Sequence, residues 1–300
     1  MKTNFARGAL ASLAVLAVGV SAAQAQTQTP PGPPAGCTPK SNVQAIIDDS
    51  GSMSSNDSQN LRARAVELFV DQPQNQRKIL GATEFGSTGK VLFPPAAIAT
   101  AGAQMKAATT AQVKADDGST NYTDAFNQAA AQNPRANARI FLTDGEPTEG
   151  LPYPENHRGG PVTYVIGFGS AVLDPENQAR LQRIASETGG IYFPQTSSSE
   201  LQSVVLDISN LLACQKSAKR VTTPFTAVGQ TKPITEALSA STKTVVINSS
   251  WANPFDKFQL VGKITIRSRG RTVASGTVPL STGQTPGTIA MTSRSRRSRS

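Results

Sequence analysis

The chain has 300 residues, with 29 Lys and Arg against 20 Asp and Glu, a formal net charge of +9, two cysteines and a single histidine. That length leaves room for one large domain or two smaller ones, and so few His and Cys exclude a zinc cluster built from them. The charge is unevenly divided: residues 37–214 hold 13 Lys/Arg against 18 Asp/Glu, while residues 215–300 hold 14 against 2.

At the amino end, Lys2 and Arg7 precede the apolar run Ala9–Val20, and Ala23-Gln24-Ala25 follows. A basic start, a short apolar core and an A-x-A site predict a secretory signal peptide over 1–25, cut near Ala25. Its run of 12 residues is too short to span a bilayer, which takes about 20. No later segment is apolar enough to cross a membrane. The mature protein is therefore expected to be secreted, or periplasmic and held at the cell envelope. Residues 26–36, TQTPPGPPAG and its flank, read as an extended, unfolded Pro-rich linker. In an exported chain Cys37 and Cys214 predict one disulfide, with two free thiols as the alternative. Such a bridge would mark the borders of a domain at 37–214.

Within those borders strand and helix patterns alternate. Val43–Ile47 reads as a buried strand, and SQNLRARAVELFV places Leu61, Ala65, Leu68 and Phe69 on one helical face. KILGATEF and KVLFP are strands joined by the turn at 86–89, and AGAQMKAATTAQV and NYTDAFNQAAAQ are helices, the second ending before Pro134. ARIFLT (138–143) and VTYVIGFG (162–169) are further strands. Asp174-Pro175 supplies an N-cap and a first-turn proline for ENQARLQRIASET, which stops at Gly189-Gly190. IYFP is a short last strand and SELQSVVLDISNLLAC a last helix. Such alternation predicts an α/β domain, a doubly wound and mostly parallel sheet with helices on both faces.

Beyond a linker at 215–223 the pattern changes. TVVINSSW (244–251) and FQLVGKITIRSR alternate apolar and polar residues, and a turn at Ser268–Arg271 leads into TVASGTV. Period-two alternation predicts a small antiparallel β-sandwich-like module over 224–290, with Trp251 in its core. The tail 291–300 carries four arginines without aromatics, which predicts a disordered segment able to meet an anionic surface but no specific nucleic-acid recognition.

In a doubly wound sheet ligands bind beyond the carboxyl ends of the strands. Three stretches bring oxygen donors to that edge. They are Asp48-x-Ser50-x-Ser52 after the first strand, Thr120 after Gly118-Ser119 at a helix start, and Asp144 directly after IFLT. Two carboxylates and three hydroxyls suit a hard divalent cation, and so few charged ligands leave it electrophilic toward a further carboxylate. The bland readings are an N-cap with serine turns at 48–52 and a simple Asp-Gly turn at 144–145. Asp116, Asp117 and Asp124 read as solvating and capping residues, and His157, in a Pro/Gly-rich loop, as a surface histidine.

These residues resemble the metal-ion-dependent adhesion site of the von Willebrand factor type A (VWA) domain family. DDSGSM, GSTNYT and FLTDGEPT match its three motifs in order, VIGFG and LQRIASETGGIYF resemble a later strand and helix, and the likeness covers about residues 42–214. It implies that Ser50, Ser52 and Thr120 bind the metal directly, that Asp48 and Asp144 bind it directly or through water, and that a partner's Asp or Glu completes the shell. Ser119 stands where the family usually has a second glycine before the threonine. The resemblance implies Mg²⁺, with Mn²⁺ or Ca²⁺ as alternatives, and a non-catalytic adhesion protein. Its expected partner is a protein presenting Asp or Glu, or an acidic polymer. The alternatives are a structural envelope protein anchored by its basic C-terminal region and a metal-dependent hydrolase, for which Asp49 or Glu146 are the nearby bases.

Overall fold

The computed structural model describes residues 26–28, 30–150, 157–194, 196–216, 220–222, 244–249, 259–268, 271–282 and 287–292. The expected signal peptide, Trp251 and the arginine tail beyond 292 lie outside the described residues. In chain order the strands are β1 (Gln26–Gln28), β2 (Asn42–Asp48), β3 (Ile79–Phe85), β4 (Gly89–Ala97), β5 (Ala138–Thr143), β6 (Val162–Gly167), β7 (Tyr192–Phe193), β8 (Arg220–Thr222), β9 (Thr244–Ser249), β10 (Gln259–Ser268), β11 (Arg271–Thr282) and β12 (Gly287–Thr292). The helices are α1 (Met53–Asn56), α2 (Leu61–Asp71), α3 (Ile98–Gln112), α4 (Tyr122–Gln132), α5 (Pro175–Glu187) and α6 (Ser198–Leu212).

Six strands form one sheet in the order β4-β3-β2-β5-β6-β7, all pairings parallel except β3 with β4. The antiparallel strand lies at an edge, which is why it tolerates Pro94 and Pro95: an edge strand can spare the N–H that proline lacks. β2 is central, and its side chains alternate between two cores. Val43, Ala45 and Ile47 pack with α2, α3 and α6 on one face; Ile46 packs with Tyr122, Phe126 and Leu181 of α4 and α5 on the other. The doubly wound architecture expected from the strand–helix alternation is thus the observed one.

Helix ends follow local chemistry. The Asp174 carboxylate accepts from the N–H groups of Glu176 and Asn177 ahead of Pro175, and Ser197 with Glu200 forms a capping box on α6. Cys37 and Cys214 are joined across 177 residues, so the disulfide ties the end of α6 to the chain before β2. Three residues of the Pro-rich spacer depart from the unfolded linker expected there. Gln26–Gln28 pair antiparallel with Arg220–Thr222, since the two segments flanking the disulfide run side by side. Farther on, β10 pairs with β11 and β9 with β12, each antiparallel. The strand β12 has no counterpart in the sequence reading, because its apolar run Ile289–Met291 is too short to show a period. Among the described residues no helix is long and apolar enough to cross a membrane.

Candidate metal site

β2 is flanked by parallel neighbours on both sides, so its last residue emerges at the middle of the sheet's carboxyl edge. Asp48 is 0 % exposed there. Its Oδ1 accepts from the Ser50 N–H at 3.0 Å and the Ser50 hydroxyl at 2.5 Å, and its Oδ2 accepts from the Thr143 hydroxyl at 2.7 Å. The Ser50 and Ser52 hydroxyls lie 3.2 Å apart. The bend at 48–52 therefore turns three of the five expected donors toward one another.

The second segment is stitched to the first by backbone. The Gly51 N–H donates to Gly118 O at 2.9 Å and the Asp117 N–H to Asp49 O at 3.0 Å. Gly118 has φ +66°, a conformation that favours glycine, and so brings its carbonyl back toward Gly51. Two residues on, Thr120 is 4 % exposed. Its N–H donates to the Thr148 hydroxyl at 3.0 Å and its carbonyl accepts from Thr148 N–H at 2.8 Å, linking it to the loop after β5. Asn121, not Thr120, caps α4 by accepting from Asp124 N–H.

Asp144 follows β5 and is 3 % exposed. Its Oδ2 accepts from the Asn56 side chain of α1 at 3.0 Å. The Tyr122 hydroxyl bonds both Thr143 Oγ1, at 2.8 Å, and Gly145 O, and so braces the backbone on either side of Asp144.

Burial and then the charge of Asp144 push the Asp48 carboxyl up to about 7, against the hydrogen bonds from Ser50 and Thr143, which pull it down. The ion pairs among the described residues engage neither Asp48 nor Asp144. Two buried carboxylates near enough to repel each other, with no ion-pair partner among the described residues, are costly. The chemistry of the donor set fits a hard cation: two carboxylates and three hydroxyls, all oxygen, at one sheet edge. Among the described residues no group of three or more His, Cys, Asp or Glu could hold a metal, so hydroxyls are needed to fill a shell.

The sequence reading missed the residues that hold this edge in shape: Thr143, Tyr122 and Asn56. Thr143 and Tyr122 flank recognised donors, but nothing in their spacing announces a hydrogen bond across the sheet. The two bases considered for hydrolysis are poorly suited to it. Asp49 is buried and paired with Arg62 at 2.9 Å, and Glu146 is exposed. His157 precedes β6, at the opposite end of the strands from Asp144, and rests on the Phe126 ring.

The α/β sheet thus carries Asp-x-Ser-x-Ser, Thr and Asp on three loops at its carboxyl edge. The von Willebrand factor type A domain matches residues 42–207, more than half of the chain, and the chain belongs to that family. Among solved structures it is similar to the PilB minor pilin from Streptococcus sanguinis, with 15% identity, TM-score 0.46, and 60% of this chain and 63% of the pilin covered. BatB from Bacteroides thetaiotaomicron shows 20% identity and TM-score 0.42, covering 57% of this chain and 98% of BatB. Proximal thread matrix protein 1 from the mussel byssus, with a zinc-occupied MIDAS motif, shows 18% identity and TM-score 0.43, covering 59% of this chain and 49% of that one. Among curated proteins none matches the sequence. VWA domains are in general interaction modules that bind a divalent metal ion at this edge.

Proposed function

We propose that this chain is an exported binding protein that captures a carboxylate of a protein or acidic polymer at a divalent metal ion. Asp48, Ser50, Ser52, Thr120 and Asp144 would hold the ion, Mg²⁺ in the first instance, and the ion would supply the Lewis-acidic attraction for the partner's Asp or Glu. One observation carries this reading: Asp48 and Asp144 are both buried at the same sheet edge, and among the described residues no basic side chain pairs with either. The Asp48–Ser50–Ser52 chain of hydrogen bonds holds the hydroxyls beside that charge. Tyr122 and Asn56 keep Asp144 aimed at it, so the chain's own work is to hold donors in place.

The remaining parts are assigned by composition. The signal peptide delivers the mature chain across the membrane, the Cys37–Cys214 bridge closes the VWA domain, and the basic C-terminal region adds a contact with an anionic surface. The test is a pull-down from the native extracellular or periplasmic fraction in Mg²⁺ and in EDTA, with Asp48→Ala and Ser50→Ala as controls. Binding that is lost in EDTA and in both variants supports the reading; the same binding in all conditions rejects it.

A further inference from the structure

The two ends of the sheet differ in charge. At the amino edge Lys40, Arg77, Lys78, Arg135, Arg139 and Arg158 each precede or open a strand of the parallel set. The carboxyl edge, where Asp48 and Asp144 lie, is rimmed by exposed acids. Glu146 and Glu149 are on the loop after Asp144, and the Glu149 N–H donates to Thr120 O at 3.1 Å. Asp116 is on the segment stitched to the first bend, where its neighbour Asp117 donates its N–H to Asp49 O at 3.0 Å. Asp174 follows the short helical turn Ala171–Leu173, which packs beside the Asp144 loop: a Cβ on Gly145 would stand 3.3 Å from the Ala171 Cβ.

Little cancels the charge of this rim. Lys90 is taken by Asp117 and Arg180 by Glu176. Among the described residues no ion pair engages Asp116, Glu146, Glu149 or Asp174, and against them stands the exposed Lys114. Leu173, directly before Asp174, is 44 % exposed, so the rim also offers an apolar contact. Charges so placed act on whatever flanks a ligand's carboxylate, repelling like charge and attracting cations within a Debye length of about 8 Å at physiological salt.

We propose that the carboxylate captured at this edge is a lone Asp or Glu set among basic and apolar residues on a protein, and that the acidic rim turns acidic polymers away. The inference rests on the metal-site reading above and narrows its partner. The ion accepts one carboxylate. Each further carboxylate of a polymer falls against Asp116, Glu146, Glu149 or Asp174 with no ion to meet it. A Lys or Arg beside the captured carboxylate meets the same acids favourably, and an apolar neighbour meets Leu173. Complementarity of this kind sets the association rate and rejects partners of the wrong charge.

The experiment follows two fluorescent probes by anisotropy with the mature chain, in Mg²⁺ and in EDTA: a lysine- and leucine-rich peptide with one central Asp, and poly-glutamate of the same length. In Mg²⁺ at low salt the peptide is expected to bind at least about tenfold tighter than poly-glutamate, and added salt narrows the gap. The same peptide with Asn for its Asp loses the Mg²⁺-dependent part of its binding. Glu146→Lys with Glu149→Lys, both on the exposed loop, reverses the preference, and melting curves show that the variant is folded. Poly-glutamate binding as tightly as the peptide in Mg²⁺ overturns the proposal. So does a peptide without Mg²⁺-dependent binding, or a preference unmoved in the folded lysine variant. Calorimetry with Mg²⁺ alone separates this failure from that of the metal site. If the wild type binds Mg²⁺ and Asp48→Ala does not, the metal site stands and only the partner is wrong; if neither binds it, the reading beneath falls as well.

Discussion

The Arg62 guanidinium, 1 % exposed, donates to Asp49 Oδ1 at 2.9 Å and to Asp57 Oδ2 at 3.1 Å, so one buried cation holds two buried carboxylates beside the Asp48–Ser52 bend. Asp49 Oδ1 also accepts from Ala115 N–H at 2.6 Å, at a residue with φ +62°. The pairing therefore ties the Asp48–Ser52 bend to the segment that leads to Thr120. Arg62→Met strands two carboxylates in the interior, and breaking a buried pair in this way costs about 3–5 kcal/mol. Urea denaturation reads it as a large fall in midpoint, and Mg²⁺ affinity falls with it. A change under about 1 kcal/mol, within the range of an exposed ion pair, would show that Arg62 is not structural.

Asp48 and Asp144 repel each other in the metal-free protein. Asp48→Asn relieves that repulsion, so in EDTA this variant is expected to unfold at a higher temperature than the wild type. Adding Mg²⁺ reverses the order. At about 100 times its dissociation constant a ligand stabilises by about 2.7 kcal/mol, and only the wild type gains it. Calorimetry with and without Mg²⁺ checks both halves, and equal Mg²⁺ stabilisation of the two proteins would falsify the site.

Tyr122 braces the Asp144 loop through Thr143 and Gly145. Tyr122→Phe keeps the ring packed against Phe85 and Phe141 while leaving buried oxygens short of a partner. The expected loss is about 1–3 kcal/mol in denaturation, with weaker Mg²⁺ binding because Asp144 is less firmly held. Unchanged affinity would confine Tyr122 to the core.

Reducing the Cys37–Cys214 bond frees a loop of 177 residues in the unfolded chain. The chain-entropy account gives an upper figure of roughly 5 kcal/mol for that separation. Melting with and without reductant, with Cys37→Ser/Cys214→Ser as the permanent form, measures it. An unchanged midpoint would mean that the ends of the VWA domain are held by packing alone.

His157 is the only histidine, so its imidazole resonance can be followed without assignment. Burial holds it below the ordinary 6.5, against the attraction of Glu187 and with the repulsion of Arg139. Because the folded value is depressed, the unfolded chain takes up the proton first. Stability is full above pH 6.5 and declines as pH falls toward the folded value. Proton NMR should give a midpoint below 6.5, and His157→Gln should flatten stability across that interval. A midpoint at or above 6.5 contradicts the burial seen against Phe126.

Much of the fold was legible because periodicity is a local property. The spacing of Leu61, Ala65, Leu68 and Phe69 announced α2, and the Asp174-Pro175 pair marked the start of α5. The donors at 48, 50, 52, 120 and 144 stood out for a similar reason: each follows an apolar strand or opens a helix, where a polar residue has no packing role. Glu84 did not stand out. Its place near the end of the strand looked like any half-exposed position, and Lys90, opposite it on β4, pairs instead with Asp117, a residue 33 positions away that the backbone of Asp49 and Ser87 fixes against Gly86.

Apolar repeats, turn residues and caps already dictated the succession of sheet strands and long helices from β2 to α6, and with it which loops lie at the sheet's carboxyl edge. Long-range packing assigned the partners: Arg62 to Asp49, Tyr122 to the Asp144 loop, and Gln26–Gln28 to Arg220–Thr222. The reason is that a residue's backbone preference is set by its neighbours in the chain, whereas the charge balance of a buried side chain depends on which distant segments close over it.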